Sequence, residues 1–226
     1  MKRTPIIVSW SGGKDSSLAL AALQAEPRFE VIGLLTSITV DYDRISIHGV
    51  RRSLLEGQAR SLDLPLYEIL IGANASNALY EGAFHKALDT IRRKEPHAHH
   101  LAFGDLFLAD VRSYREKLLS ATAFEAVFPI WGRNTTELAR HFIDEGFAAH
   151  LVCVDTLLLD AAFVGRRFDL AFLADLPRGV DPCGERGEFH TFVFGGPIMS
   201  ESIPCQPGDI VIRDNRFAYC DLLPGS

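Results

Sequence analysis

The chain has 226 residues, of which 47% are hydrophobic and 23% charged, with a formal net charge of −6. That length can bury a real core in one domain, or in one domain and a smaller lobe, and the balance is that of a globular protein. The acidic charge argues against non-specific nucleic-acid binding, and no apolar run is long enough to span a bilayer, so neither partner is expected.

The first apolar run, residues 5–10, predicts a strand. Ser11-Gly12-Gly13-Lys14-Asp15-Ser16 follows directly. Good helix formers come next and predict a helix over 15–24. Further strands are expected at 29–38, 65–71, 100–104, 126–129 and 148–155. Between them, helical spacing predicts helices over 50–62, 77–94, 109–121 and 135–145. In the helix over 50–62, Leu54, Leu55, Gln58, Ala59 and Leu62 share a stripe. The last of these helices stops at Gly146, where a helix readily terminates. Such alternation builds an α/β fold with a doubly wound parallel sheet covered on both faces.

Beyond Asp155 the texture changes. A helix is expected over 163–176, then a Gly/Pro/charge-rich stretch over 177–188, then β-like runs at 189–194, 209–213 and 217–222. This describes a smaller α+β lobe. A boundary near 129–133 divides the chain into an N-terminal domain, 1–130, and a C-terminal lobe, 131–226. Gly225-Ser226 reads as a frayed end.

The hexapeptide at 11–16 sits at a strand-to-helix turn. Two glycines let the backbone approach a ligand, and the free amides and dipole of the helix start favour an anion. Ser11 and Ser16 add hydroxyls and Lys14 adds a cation, which suits a polyphosphate. Walker A spacing fails, because the glycines are adjacent and Asp15 follows Lys14. The dinucleotide pattern Gly-x-Gly-x-x-Gly is absent too. A carboxylate beside phosphates needs an intervening metal, or else Asp15 caps local backbone donors.

In open α/β sheets ligands bind beyond the carboxyl ends of the strands. The hexapeptide, Gly104-Asp105 and the loop after Ile38 all fall there. Gly104 would admit a base or ribose, and Asp105 either meets the ligand or caps the next helix. The loop after the second strand carries His48, Arg51 and Arg52, where an arginine could reach phosphates or an acidic substrate, or else be an ordinary surface residue. A denser cluster, Asp181-Pro182-Cys183-Gly184-Glu185-Arg186-Gly187-Glu188-Phe189-His190-Thr191, could bring carboxylates to a substrate as metal ligands, ammonia-orienting groups or a general base. Trp131 and Phe163, Phe168, Phe172 and Phe189 read as packing residues, and His97, His99 and His100 as solvent-exposed. The four cysteines make no C-x-x-C pair, so reduced thiols in a cytoplasmic protein are the expectation.

The hexapeptide resembles the SGGxDS signature of the PP-loop ATP pyrophosphatases. Taken with GDLFLADVRSYRE at 104–116, PIWGRN at 129–134 and DPCGERGEFHTFVFGGP at 181–197, the chain is similar to the diphthine–ammonia ligase family along nearly its whole length. The resemblance implies a Rossmann-like HUP domain that binds ATP with magnesium, and a lobe that closes on the acceptor. It implies that ATP adenylylates a diphthine-like carboxylate on an elongation factor, releasing pyrophosphate, and that ammonia then displaces AMP. Under it Lys14, Asp15, Glu185 and Glu188 are the catalytic candidates. Ser9, Ser11, Gly12, Gly13, Lys14, Asp15, Ser16, Thr36, Gly104 and Asp105 hold the nucleotide. His48, Arg51, Gly184, Gly187 and His190 receive the acceptor, Asp15 is the metal candidate, and a homodimer is allowed. Arg186 stands where the family commonly has Asn. Two other functions remain open: a PP-loop enzyme that modifies tRNA, and a nucleotide-binding sensor without turnover.

Overall fold

The computed structural model describes residues 3–225. Ser226, half of the expected frayed end, lies outside the described residues. Gly225 itself donates its amide to the Pro204 carbonyl at 2.7 Å.

The first sheet contains β1 (Thr4–Ser9), β2 (Phe29–Thr39), β3 (Arg44–Ile45), β4 (Leu66–Ile71), β5 (His100–Ala102) and β6 (Glu125–Val127). Five strands run parallel in the order β4-β2-β1-β5-β6, while β3 pairs antiparallel with the end of β2. The helices between them are α1 (Lys14–Ala25), α2 (Arg52–Ser61), α3 (Asn77–Lys94) and α4 (Ala109–Leu119). This is the doubly wound Rossmann-like arrangement expected from the alternation. Ile6, Ile7 and Val8 are all fully buried, as a strand covered on both faces requires. Ile6 and Val8 belong to one apolar cluster and Ile7 to another, so the alternating pleat separates the two faces. The chain order reverses between β1 and β5. At such a switch point the strand ends leave a crevice.

After α5 (Thr135–Asp144) the chain forms a second, antiparallel sheet from β7 (Ala148–Asp155), β8 (Phe189–Gly195), β9 (Cys205–Arg213) and β10 (Phe217–Pro224), in the order β8-β7-β10-β9. Two expectations are corrected here. The strand over 148–155 does not extend the parallel sheet; it lies inside the antiparallel one. Its residues are buried almost without interruption, a pattern that a strand inside either kind of sheet produces. The helix expected over 163–176 shrinks to α6 (Leu170–Asp175), preceded by a 3-10 turn, Ala161–Phe163. Gly165 breaks it at φ 82°, and Arg167 bridges to His150. Asp169 then caps α6 by accepting the Phe172 amide at 2.8 Å. The phenylalanines still meet in the core: Phe172 lies 5.2 Å from Phe168 and 5.3 Å from Phe189 between ring centres.

One apolar cluster runs from Ile6 to Leu222 and joins the two sheets. The join is also polar. Val193 donates its amide to the Gly12 carbonyl at 2.8 Å, and Lys14 donates its amide to Thr191 Oγ1 at 3.0 Å. Strand β8 is thereby stitched to the first turn of α1.

Candidate active site

A cleft of about 660 Å³ opens where β1, β2 and β5 end, and the loop over 181–188 forms its far wall. Most of the sequence-predicted residues line it: Ser9, Ser11, Gly13, Lys14, Asp15, Ser16, Thr36, His48, Gly104, Asp105, Gly184, Glu185, Gly187 and His190. A shallower depression beside α2, lined by Glu56, Arg60 and Asp63, gathers none of them.

The β1–α1 turn is held from several sides. Ser11 Oγ accepts the Gly13 amide at 3.2 Å and lies 3.2 Å from Ser16 Oγ. Gln58, fully buried on α2, donates Nε2 to the Gly12 and Val193 carbonyls at 3.0 and 2.6 Å, and its Oε1 accepts the Trp10 indole N–H at 2.9 Å. Sequence reasoning missed this brace. The signal was there: a polar glutamine within an otherwise apolar helical stripe. Gly104 faces the same turn, where an added Cβ would stand 2.8 Å from the Asp15 carbonyl carbon and 3.0 Å from the Ser16 nitrogen. Only glycine allows β5 to end so close to α1.

Lys14 is buried, and its ammonium donates to both carboxylate oxygens of Asp15 at 2.8 Å and to the Cys183 carbonyl. Burial would lower its pKa, but the Asp15 carboxylate and, further away, Glu185 outweigh that and raise it. Lys14 is therefore a fixed cation at the base of the cleft. Asp15 does not cap α1, whose N-cap is Gly13; each of its carboxylate oxygens accepts from Lys14. No group of three His, Cys, Asp or Glu side chains suited to a metal occurs among the described residues. The residues present therefore offer no metal site made of side chains alone; a magnesium ion carried on nucleotide phosphates would need only one carboxylate, for which Asp15 is the candidate.

Asp105 is not the cap of α4 either, since that position is Leu108. Its Oδ2 faces Arg115 Nε at 3.6 Å, too far for a hydrogen bond, and burial raises its pKa.

The loop over 181–188 is built by its own carboxylates. Asp181 accepts the Cys183 amide at 2.8 Å and the Thr135 hydroxyl at 2.8 Å. Glu188 accepts the amides of Asp181 and Arg186, each at 2.9 Å, and is 3% exposed. Glu188 thus braces the loop and does not line the cleft. Gly184 turns the chain at φ 66°, where a Cβ would meet the Phe189 carbonyl at 2.8 Å. The turn leaves Glu185 pointing across the cleft, where Oε1 accepts the Leu106 amide at 2.7 Å. Burial, with the Asp15 carboxylate adding to it, pushes Glu185 up to about 7, against the pull of the Leu106 amide.

His48 and His190 stack on the opposite wall with ring centres 4.6 Å apart. Burial and the Lys14 charge lower His190 to about 4. Burial, His190 and Lys14 hold His48 well below its usual value. Both rings are neutral at physiological pH, and His48 Nδ1 has no hydrogen-bond partner among the described residues. Arg51 is not brought to the cleft. It donates to Asp221 of β10 at 2.6 and 3.0 Å, alongside Arg44 at 2.8 Å. Gly12 acts through its carbonyl, which ties the turn to β8 and α2.

A nucleotide fits what is present: a cation and serine hydroxyls at a helix start, a glycine that keeps the neighbouring strand end bare, and Thr36 Oγ1, buried in the cleft without a partner among the described residues. Asn77, Tyr80 and Tyr114 also line the cleft, with the Tyr114 hydroxyl donating to Asn77 Oδ1 at 3.0 Å.

A parallel sheet whose switch point carries such a turn defines a Rossmann-like α/β protein, here joined to an antiparallel lobe. Family models described as diphthamide synthase N-terminal domain and diphthamide synthase C-terminal domain match residues 4–122 and 134–219. The chain belongs to the diphthamide synthase family. It is similar to the diphthine–ammonia ligase of Homo sapiens, with 26% identity over 90% of this chain and 83% of that protein. It is also similar to the diphthine–ammonia ligase of Schizosaccharomyces pombe, with 22% identity over 89% of this chain but only 36% of that longer protein. No helix among the described residues is long and apolar enough to cross a membrane.

Proposed function

We propose that the protein is an ATP-dependent ligase of the diphthamide pathway, which converts a diphthine-like carboxylate, carried on an elongation factor, into its amide. Residues 1–130 form the nucleotide domain and 131–226 the acceptor lobe. The observation that carries this reading is the meeting of two distant segments in one cleft, the turn over 11–16 and the Glu185 loop.

The chemistry follows from the side chains. ATP supplies the activated phosphorus and its phosphates lie on the turn over 11–16. A carboxylate oxygen of the acceptor attacks the α-phosphorus, and pyrophosphate leaves with the bonding electrons. Lys14 neutralises the charge that builds on the α-phosphate oxygens, a fixed cation in a site shielded from water. Ammonia then attacks the acyl carbon, the bond to AMP breaks, and one proton is released. Glu185, tuned to about 7, takes that proton. His48 and His190 offer neutral nitrogen atoms to the acceptor. Glu188 and Arg51 serve by holding the loops in place.

Incubation with ATP, ammonia and the acceptor tests this directly. AMP and pyrophosphate are expected in equal amounts, formed only when the acceptor is present. ADP with inorganic phosphate would contradict the reading.

A further inference from the structure

Strand β9 is the outer strand of the second sheet. It pairs with β10 on one side and with no strand on the other among the described residues. Outer strands are normally guarded against pairing with another chain by charges, Pro or a bulge. Here Pro207 and Gly208 guard only the first part. In Asp209-Ile210-Val211-Ile212-Arg213 the three central residues are 55%, 44% and 60% exposed. Ile210 and Ile212 stand opposite Cys220 and Ala218, both buried, so they carry the core-facing side of the sheet beyond its rim. Val211, opposite Tyr219, points to the other side. The segment is therefore apolar and wet on both faces.

Its charge order selects the occupant. When the segment pairs antiparallel with its own copy about Val211, Ile210 meets Ile212 on one face. On the other, Asp209 meets Arg213 at each end. A parallel copy in the same register would set like charge against like. The strand is also held ready. Asp214 and Asn215 turn the hairpin at φ 53° and 49°, and the Arg216 amide bonds the Arg213 carbonyl at 3.0 Å. Arg216 in turn grips the buried Asp155 carboxylate at 3.0 Å. We propose that β9 is a homodimer interface, in which two copies pair antiparallel across a twofold axis at Val211 and join their four-stranded sheets into one.

This surface is separate from the cleft, so its test does not depend on the enzymatic reading. Sedimentation equilibrium of the full chain from about 1 to about 100 μM is the measurement. The wild type is expected to shift from monomer to dimer across that range. Val211→Lys sets two ammonium groups on the axis and is expected to leave a monomer. Asp209→Arg opposes like charges twice and is expected to weaken the dimer about tenfold. Asp209→Arg with Arg213→Asp restores the matching and returns the affinity close to wild type, even though the second change gives up the contact of Arg213 with the Tyr42 ring. All the substituted positions are exposed, and unchanged circular dichroism shows that each variant is folded. A wild-type monomer throughout would overturn the proposal and leave the edge to a different partner. So would a dimer that survives Val211→Lys, or a double variant no tighter than Asp209→Arg.

Discussion

Glu185 accepts the amide of Leu106 at 2.7 Å across 79 residues of chain. With the Lys14 contact to the Cys183 carbonyl, that bond ties the loop over 181–188 to the parallel-sheet unit. It also holds a carboxylate, raised to about 7 by burial, close to the buried ammonium of Lys14.

The Glu185 pKa has consequences for rate and stability. With Glu185 as the proposed proton acceptor, amide formation is expected to rise with pH to a plateau above about 7. Glu185→Gln is expected to slow the amidation step about a hundredfold or more and to remove that limb. For stability the sign is opposite. The folded carboxyl binds a proton more tightly than the unfolded one, whose ordinary value is 4.5. Its contribution is present at low pH and is lost as pH rises from 4.5 toward 7. Glu185→Gln keeps an oxygen for the Leu106 amide and carries no charge, so it is expected to have the higher Tm at pH 8 while being nearly inactive. Thermal unfolding across pH checks this.

The imidazole pair works in the other direction. His190 falls from 6.5 to about 4 on folding, so the unfolded chain binds more protons between those values. Stability is expected to drop as pH falls below 6.5, with His48 adding to the loss. His190→Phe preserves a stacked ring without a proton site and is expected to flatten the acid limb. A variant as acid-labile as the wild type would assign the acid loss elsewhere.

Lys14→Met leaves the Asp15 carboxylate without its counter-ion. Asp15 keeps 30% side-chain exposure, so water softens the cost to about 2 kcal/mol of stability. Lys14→Met with Asp15→Asn is expected to recover most of that loss in denaturant unfolding. Neither variant is expected to release pyrophosphate at more than about a hundredth of the wild-type rate.

Gly104→Ala tests the close approach of β5 to α1. Its Cβ would stand 2.9 Å from the Asp15 carbonyl oxygen, against backbone that cannot swing away. A stability loss of about 1–3 kcal/mol is expected. Nucleotide affinity, read by calorimetry, is expected to fall with it, because the same shift spreads the cleft.

Much of this was legible in the sequence, and the rest was hidden for physical reasons. Residues 11–16 announce themselves because a ligand turn concentrates glycine, hydroxyl and lysine at one junction. Glu185 and its flanking glycines are visible on the same grounds. Glu188 looks identical to Glu185 in the sequence, yet one carboxylate braces the loop and the other faces the cleft. The tight turn between them, closed by the Gly187 amide on the Gly184 carbonyl at 3.0 Å, sends the two apart. Arg51 resembled a ligand-binding arginine because its partner, Asp221, lies at the far end of the chain. Strand β7 carries the uniform burial of a parallel strand, so hydrophobic pattern could not assign it to a sheet. The spacing of Phe163, Phe168 and Phe172 imitated a helix, although a turn at Gly165 brings them together. Gln58 and Thr191 position the turn through its backbone, and backbone partners leave little trace in a sequence.

The central claim is that an acceptor carboxylate attacks the innermost phosphorus of the nucleotide held by the Lys14 turn. An acceptor with both carboxylate oxygens isotopically labelled tests it most directly, with the products read by mass spectrometry after one turnover. One labelled oxygen is expected in AMP and the other in the amide. Label found in inorganic phosphate, or AMP formed without label, would contradict the account.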